Sequence, residues 1–129
     1  MNGMKTLTKA EEQIMQILWD LKEGVVKDVV EEFEKPRPAY TTVATVLKVL
    51  ENKGFVSCRK IGNTNLFFPS VKKHEYARFQ FGSLLKDYFN GSFPKLATFF
   101  AKENNLSITE LEEMLKITES ELKNQDNKD

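Results

Sequence analysis

A chain of 129 residues can form one domain of ordinary size, or a small domain with an oligomerisation appendage, and is too short for a large multi-site enzyme. Its 19 Lys and Arg balance 19 Asp and Glu, so nucleic-acid binding cannot be argued from net charge. The single cysteine, Cys58, excludes an intrachain disulfide framework, and without a cationic-apolar leader or an apolar run able to span a bilayer the expected location is the cytoplasm.

The first element opens at Thr8-Lys9-Ala10-Glu11, which has capping-box spacing. Ile14, Leu18 and Leu21 then recur at helical spacing beside Met15, Ile17 and Trp19, with Gly24 as the expected stop. A short second stripe, Val26, Val29, Val30 and Phe33, ends before Pro36-Arg37-Pro38, where the prolines force an extended connection. A third helix is expected from about Thr41 to Lys53, closed by Gly54. At about 100° per residue its Val43, Val46, Leu47 and Leu50 share one arc, while Thr41, Thr45, Lys48 and Asn52 take the other. Exposed helix faces more often carry Glu and Lys; short hydroxyls beside a cation are unusual there.

After Gly54 the period changes from helical to alternating. Residues 55–61 and 64–68 are expected strands, and Gly62-Asn63 suits a tight two-residue hairpin with Gly at the first central position. Three helices followed by a β-hairpin describe a winged helix-turn-helix. Charge follows the same division. Residues 9–34 hold Lys9, Lys22 and Lys27 against Glu11, Glu12, Asp20, Glu23, Asp28, Glu31, Glu32 and Glu34. Residues 35–63 hold Lys35, Arg37, Lys48, Lys53, Arg59 and Lys60 against Glu51 alone. In this architecture the third helix enters the major groove, where threonine hydroxyls and methyls approach base edges, and the wing lies along the backbone. Thr42, Thr45 and Lys48 are therefore expected to read bases, with Thr42 toward the flank of the arc. Thr41, Lys53, Arg59, Lys60 and Asn63 are expected to position phosphates.

The second half reads as three more helices. The fourth, from Lys72, carries Ala77, Phe81, Leu84, Leu85 and Tyr88, with Tyr76, Phe79 and Phe89 beside the stripe, and ends at Asn90-Gly91. Ser92 caps a fifth with Pro94 in its first turn and Leu96, Ala97 and Phe100 on one side. Ser107-Ile108-Thr109-Glu110 is a second capping box and Leu106 with Leu111 a hydrophobic staple, so a sixth helix begins at Ile108 with the stripe Leu111, Met114, Leu115, Thr118 and Leu122. These helices hold too little core to be stable alone. Pairing with a second copy through Phe81, Leu84, Leu85, Tyr88, Phe100, Leu111, Leu115 and Leu122 is expected, giving a C2 dimer; the alternative folds them back onto the winged helix in a monomer. The expected division is residues 1–71, a winged helix-turn-helix, 72–123, a helical dimerisation region, and 124–129, a frayed polar tail. The fold class is thus mainly α with a small β-hairpin.

With these motifs in place, the chain resembles the bacterial penicillinase-repressor and methicillin-resistance-repressor family over nearly its whole length. The resemblance rests on Leu7-Thr8-Lys9-Ala10-Glu11 and Leu18-Trp19, on Tyr40-Thr41-Thr42-Val43 with Leu47 and Lys53-Gly54, on Pro69, and on Asn105-Leu106-Ser107 with Leu111-Glu112. It implies a homodimeric repressor on a palindromic operator, dimerised through its C-terminal helices. It also implies a membrane-anchored metallopeptidase sensor, under whose control repression is relieved by cleavage of an Asn-Phe bond in the C-terminal region. The aligned stretch here, Thr98-Phe99-Phe100, lacks that pair. Related copper-responsive repressors carry C-terminal cysteines, which this chain lacks, and many family wings carry Gly-Arg where this one has Gly62-Asn63.

A competing reading is a winged-helix protein-interaction module that never touches DNA, since fold does not fix function. Such a helix more often exposes Leu, Phe or mixed charges than Thr and Lys beside a basic wing. An enzyme is not expected. His74 reads as a surface residue and Cys58 as a small strand residue, with no phosphate-cradling Gly-rich loop. No cofactor, metal ligand set or membrane insertion is expected.

Overall fold

The computed structural model describes residues 4–126. Helix α1 (Lys9–Leu21) begins on the capping box: Thr8 Oγ1 accepts from the Glu11 N–H at 3.2 Å and Glu11 Oε1 accepts from the Thr8 N–H at 2.8 Å. Its inward stripe is Ile14, Met15 and Leu18, all buried. The helix ends at Leu21, the last residue of the expected stripe, but Gly24 is not what stops it. Lys22 turns the chain at φ 75°, its N–H donating to Leu18 O at 2.7 Å. Gly24 instead exchanges two backbone hydrogen bonds with Phe67, at 2.9 and 2.8 Å, and a β-carbon there would come within 3.3 Å of Asp28 Cβ. Its missing side chain serves a close approach.

Helix α2 (Val26–Glu31) buries Val26 and Val29, and Arg37 ends it by donating to the Glu31 and Phe33 carbonyls, each at 3.1 Å. Such a cation on terminal carbonyls suits the helix dipole. Helix α3 (Tyr40–Asn52) buries Val43, Leu47 and Leu50, with Val46 partly buried. Strands β1 (Val56–Ile61) and β2 (Thr64–Pro69) pair antiparallel, with Ile61 opposite Thr64. Gly62, at φ 62°, takes the first turn position, as the Gly-Asn order requires.

Helix α4 (Lys73–Phe89) starts in this first core. The buried Tyr76 hydroxyl accepts from the Leu7 N–H at 2.8 Å, and its ring lies 5.6 Å from Phe55 and 6.2 Å from Trp19 between centroids. Trp19 is partly buried and donates its Nε1–H to Val71 O at 2.8 Å. The first compact unit therefore ends at Phe81, within α4, and the second begins at Gly82. The boundary expected after residue 71 falls later because Tyr76 and Phe79 pack with the first core.

The second unit comprises the end of α4, α5 (Phe93–Glu103) and α6 (Ile108–Asp126). Ser92 accepts from the Lys95 N–H at 3.2 Å, and Ser107 and Glu110 form the second capping box at 3.1 and 3.0 Å. Phe89 meets Phe99 at 5.3 Å. Neither α5 nor α6 contains a buried residue, and Leu85 is the one buried side chain in this unit among the described residues. Residues 124–126, expected to fray, continue α6; the rest of the expected tail lies outside the described residues.

Among the described residues of the first unit, Glu11 is the buried charged side chain. Glu11 Oε1 and Oε2 accept from Lys53 Nζ at 2.9 and 2.8 Å, tying the start of α1 to the end of α3. Burial pushes the Glu11 carboxyl up, but the Lys53 ammonium and the Thr8 donors together outweigh it and hold it below its ordinary 4.5. A depressed carboxylate contributes stability that is fully present above its unfolded value and is lost as the pH falls through the folded one.

Replacing Lys53 with Met is expected to cost about 1–3 kcal/mol in urea denaturation at neutral pH, as Glu11 loses a charged hydrogen-bond donor. The same variant should lose less stability than the parent when acidified below 4.5. Lys22→Gly, which removes a β-carbon from a left-handed position, should gain on the order of 1 kcal/mol and raise the thermal midpoint by a few degrees.

Candidate nucleic-acid interface

Burying one side of α3 fixes what its other side presents. Thr41, Thr42, Thr45, Lys48 and Asn52 are all exposed. The helix begins one residue earlier than expected, with Ala39 at its N-cap offering no side-chain oxygen; the first intrahelical bond is Val43 N–H to Ala39 O at 3.1 Å. The N–H groups of Tyr40, Thr41 and Thr42 consequently have no intrahelical acceptor. The Thr45 hydroxyl donates to Thr41 O at 2.9 Å, so outwardly it offers lone pairs and a methyl group rather than a proton. Lys48 Nζ lies 3.3 Å from Glu51 Oε1.

The wing divides its cations between two faces. Successive strand residues point to opposite sides, and the register sets Cys58 opposite Phe67 and Lys60 opposite Asn65 on one face, with Arg59 opposite Leu66 on the other. Phe67 is in the core, so the Lys60 face is the one turned toward α3. Arg59 pairs with Glu23 at 3.2 Å and lies 5.7 Å over the Phe68 ring. The pair expected to act together is thus split. Asn63 is exposed at the tip.

Lys53, expected to position phosphate, is instead held by Glu11. Its partner lies 42 residues away in sequence, beyond the reach of a local reading. Beside Lys48 and Asn63, the structure places Tyr40, Ala44, Thr64 and Asn65, which the sequence reading left unassigned. Tyr40, Ala44 and Lys48, spaced i, i+4 and i+8, line one wall of a cleft of about 270 Å³ whose other wall is Asn63, Thr64 and Asn65. The four-residue spacing from Lys48 was the available signal.

Cys58 is not set up as a nucleophile. Its thiol donates to Glu51 Oε2 at 3.3 Å, and that carboxylate, followed by burial, pushes the thiol above its ordinary value. The Cys58 donor, then Lys48, hold the Glu51 carboxyl below the usual range. Among the described residues no group of three His, Cys, Asp or Glu could hold a metal ion, and no helix is long and apolar enough to cross a membrane.

In the second unit, Leu84, Tyr88, Phe100, Leu111, Leu115 and Leu122 are exposed, as is Phe81 at the end of the first. Leu85, expected with them, is buried within the chain. Thr98, Phe99 and Phe100 lie inside α5 rather than in an extended segment.

Residues 7–120 match the protein-family model described as penicillinase repressor. The penicillinase repressor of Bacillus licheniformis is 25% identical over 120 residues, covering 92% of this chain and 94% of that protein. The methicillin resistance regulatory protein MecI of Mammaliicoccus sciuri is 24% identical over 117 residues, covering 90% and 95%. A crystal structure from Archaeoglobus fulgidus is similar over 60% of this chain and 85% of its own, at TM-score 0.43 and 18% identity, too distant to bear on function. The family match runs from before α1 into α6, and the chain belongs to the penicillinase repressor family.

Proposed function

We propose that this protein is a transcriptional repressor that binds a palindromic operator as a homodimer, with α3 in the major groove and the wing against the backbone. The observation that carries the reading is the exposed face of α3, threonines and a lysine beside a basic wing, in a chain of the penicillinase repressor family. Thr45 and Lys48 read base edges, with Thr42 at the flank. Because the Thr45 proton is engaged by Thr41, Thr45 meets a base-edge donor or a thymine methyl. Lys60, Asn63 and the first-turn N–H groups around Thr41 hold phosphates. Arg59, engaged by Glu23, takes a lesser part, and Lys53 serves the fold.

Dimerisation is supported by the apolar exposure of the second unit. Tyr88, Phe100, Leu115 and Leu122 are open in one chain, and burying such side chains against a second copy is the ordinary driving force for a two-fold dimer. Release of repression by proteolysis under a membrane metallopeptidase sensor is the finer part of the proposal. The aligned stretch is helical and has no Asn-Phe pair, so cleavage there requires α5 to open and a different bond to be cut.

Two measurements test this. In binding titrations against the protein's own upstream DNA and an unrelated duplex, Lys60→Ala should weaken both and reduce the salt slope by about one unit. Thr45→Ala should shift sequence preference at a single position by about 1–3 kcal/mol, and Lys53→Met should leave the slope unchanged. No preference for any DNA by the parent protein, with a protein partner captured through α3, would move the reading to an interaction module. In sedimentation, Leu115→Glu should convert a dimer to a monomer and lower operator affinity while the winged helix keeps its fold; an unchanged mass would remove α6 from the dimer contact.

A further inference from the structure

Glu51 is the one acid among residues 35–63, set among six bases: Lys35, Arg37, Lys48, Lys53, Arg59 and Lys60. An acid facing DNA repels phosphate, so a surface shaped for affinity alone would not keep it. Its carboxylate is held at both oxygens. Oε2 accepts from the Cys58 thiol on β1 at 3.3 Å, and Oε1 faces Lys48 Nζ at 3.3 Å. The two ends differ in freedom: the Glu51 side chain is 29% exposed and that of Lys48 71%. Glu51 is therefore the more enclosed member, with a second partner in Cys58, and Lys48 the more exposed one.

We propose that Glu51 is a positioning residue for DNA reading, anchored on the wing by Cys58 and holding the Lys48 ammonium against α3, so that Lys48 serves sequence discrimination rather than generic phosphate attraction. This rests on the DNA-reading role proposed above. A lysine is a compact charge on a flexible stem that reaches any phosphate within range. A carboxylate one turn along confines that stem and offsets its charge for distant phosphates, while a well-placed base acceptor still competes for its protons. Ion pairs this exposed add little stability; the effect lies in placement. The Cys58 thiol and the Lys48 ammonium lower the Glu51 carboxyl, and that carboxylate raises the Cys58 thiol.

The test uses the full chain, a duplex selected by the parent protein from a random-sequence pool, and an unrelated duplex of equal length, titrated across a salt series. Glu51→Gln should bind the unrelated duplex about 3–10-fold more tightly at low salt, steepen the salt slope by up to about one unit, and lower the selected-to-unrelated ratio correspondingly. Glu51→Asp keeps the charge but shortens the arm, and should also lower the ratio. Cys58→Ala should lower it in part and Cys58→Ser, which keeps a donor, should restore it. In a Lys48→Met background, Glu51→Gln should have no such effect. Parent-like ratio and slope in Glu51→Gln, or the same change with Lys48 absent, would overturn the inference while leaving DNA reading intact. Failure of the parent to select any duplex would overturn DNA reading itself, and this role with it.

Discussion

The arrangement rests on the burial of one side of α3. Val43, Leu47 and Leu50 are almost completely removed from solvent, and each such side chain contributes roughly 1.5–3 kcal/mol over leaving it exposed. Because the helix period couples its two sides, sealing this stripe determines what faces outward. The Glu11 carboxylate adds a fixed point at the far end, linking Lys53 at the close of α3 to the first turn of α1. The exposed threonine and lysine face is thus a by-product of core packing, held in place by Val43, Leu47, Leu50 and the Glu11–Lys53 pair.

Around this helix the chain assigns its polar groups by distance from the core. Arg37 closes α2, Trp19 fastens the segment after β2, and the Tyr76 hydroxyl receives the Leu7 N–H. The Trp19 and Tyr76 contacts satisfy backbone groups that would otherwise be costly to bury, while the Arg37 contacts, which are exposed, complement the end of α2. The second unit has no comparable interior. Its helices are capped by Ser92 and by the Ser107–Glu110 box, yet α5 and α6 bury no residue within one chain, a pattern of local order without a private core.

What was legible in the sequence was local. Both capping boxes formed as read, since Thr8 with Glu11 and Ser107 with Glu110 interact across three residues. The hairpin followed Gly62-Asn63, and the apolar stripe of α3 gave its burial. Features set by distant partners were not legible. Gly24 looked like a helix stop because its pairing with Phe67 depends on the folded wing, and the unit boundary slipped into α4 because Tyr76 answers to Leu7, 69 residues earlier. In the candidate site the division between Arg59 and Lys60 needed the strand register, and the engagement of Lys53 needed Glu11; composition counted all three simply as bases.

The Gly24 bridge also changes the character of the wing. It occupies part of the outer edge of β2, leaving β1 as the strand whose far side has no neighbour in the sheet among the described residues. Unpaired strand edges invite other chains to add on, and charged residues are a common defence. Arg59 and Lys60 stand on that strand, where charge of this kind disfavours pairing with the edge of another wing. Stripping both at once would convert a question about binding into one about aggregation.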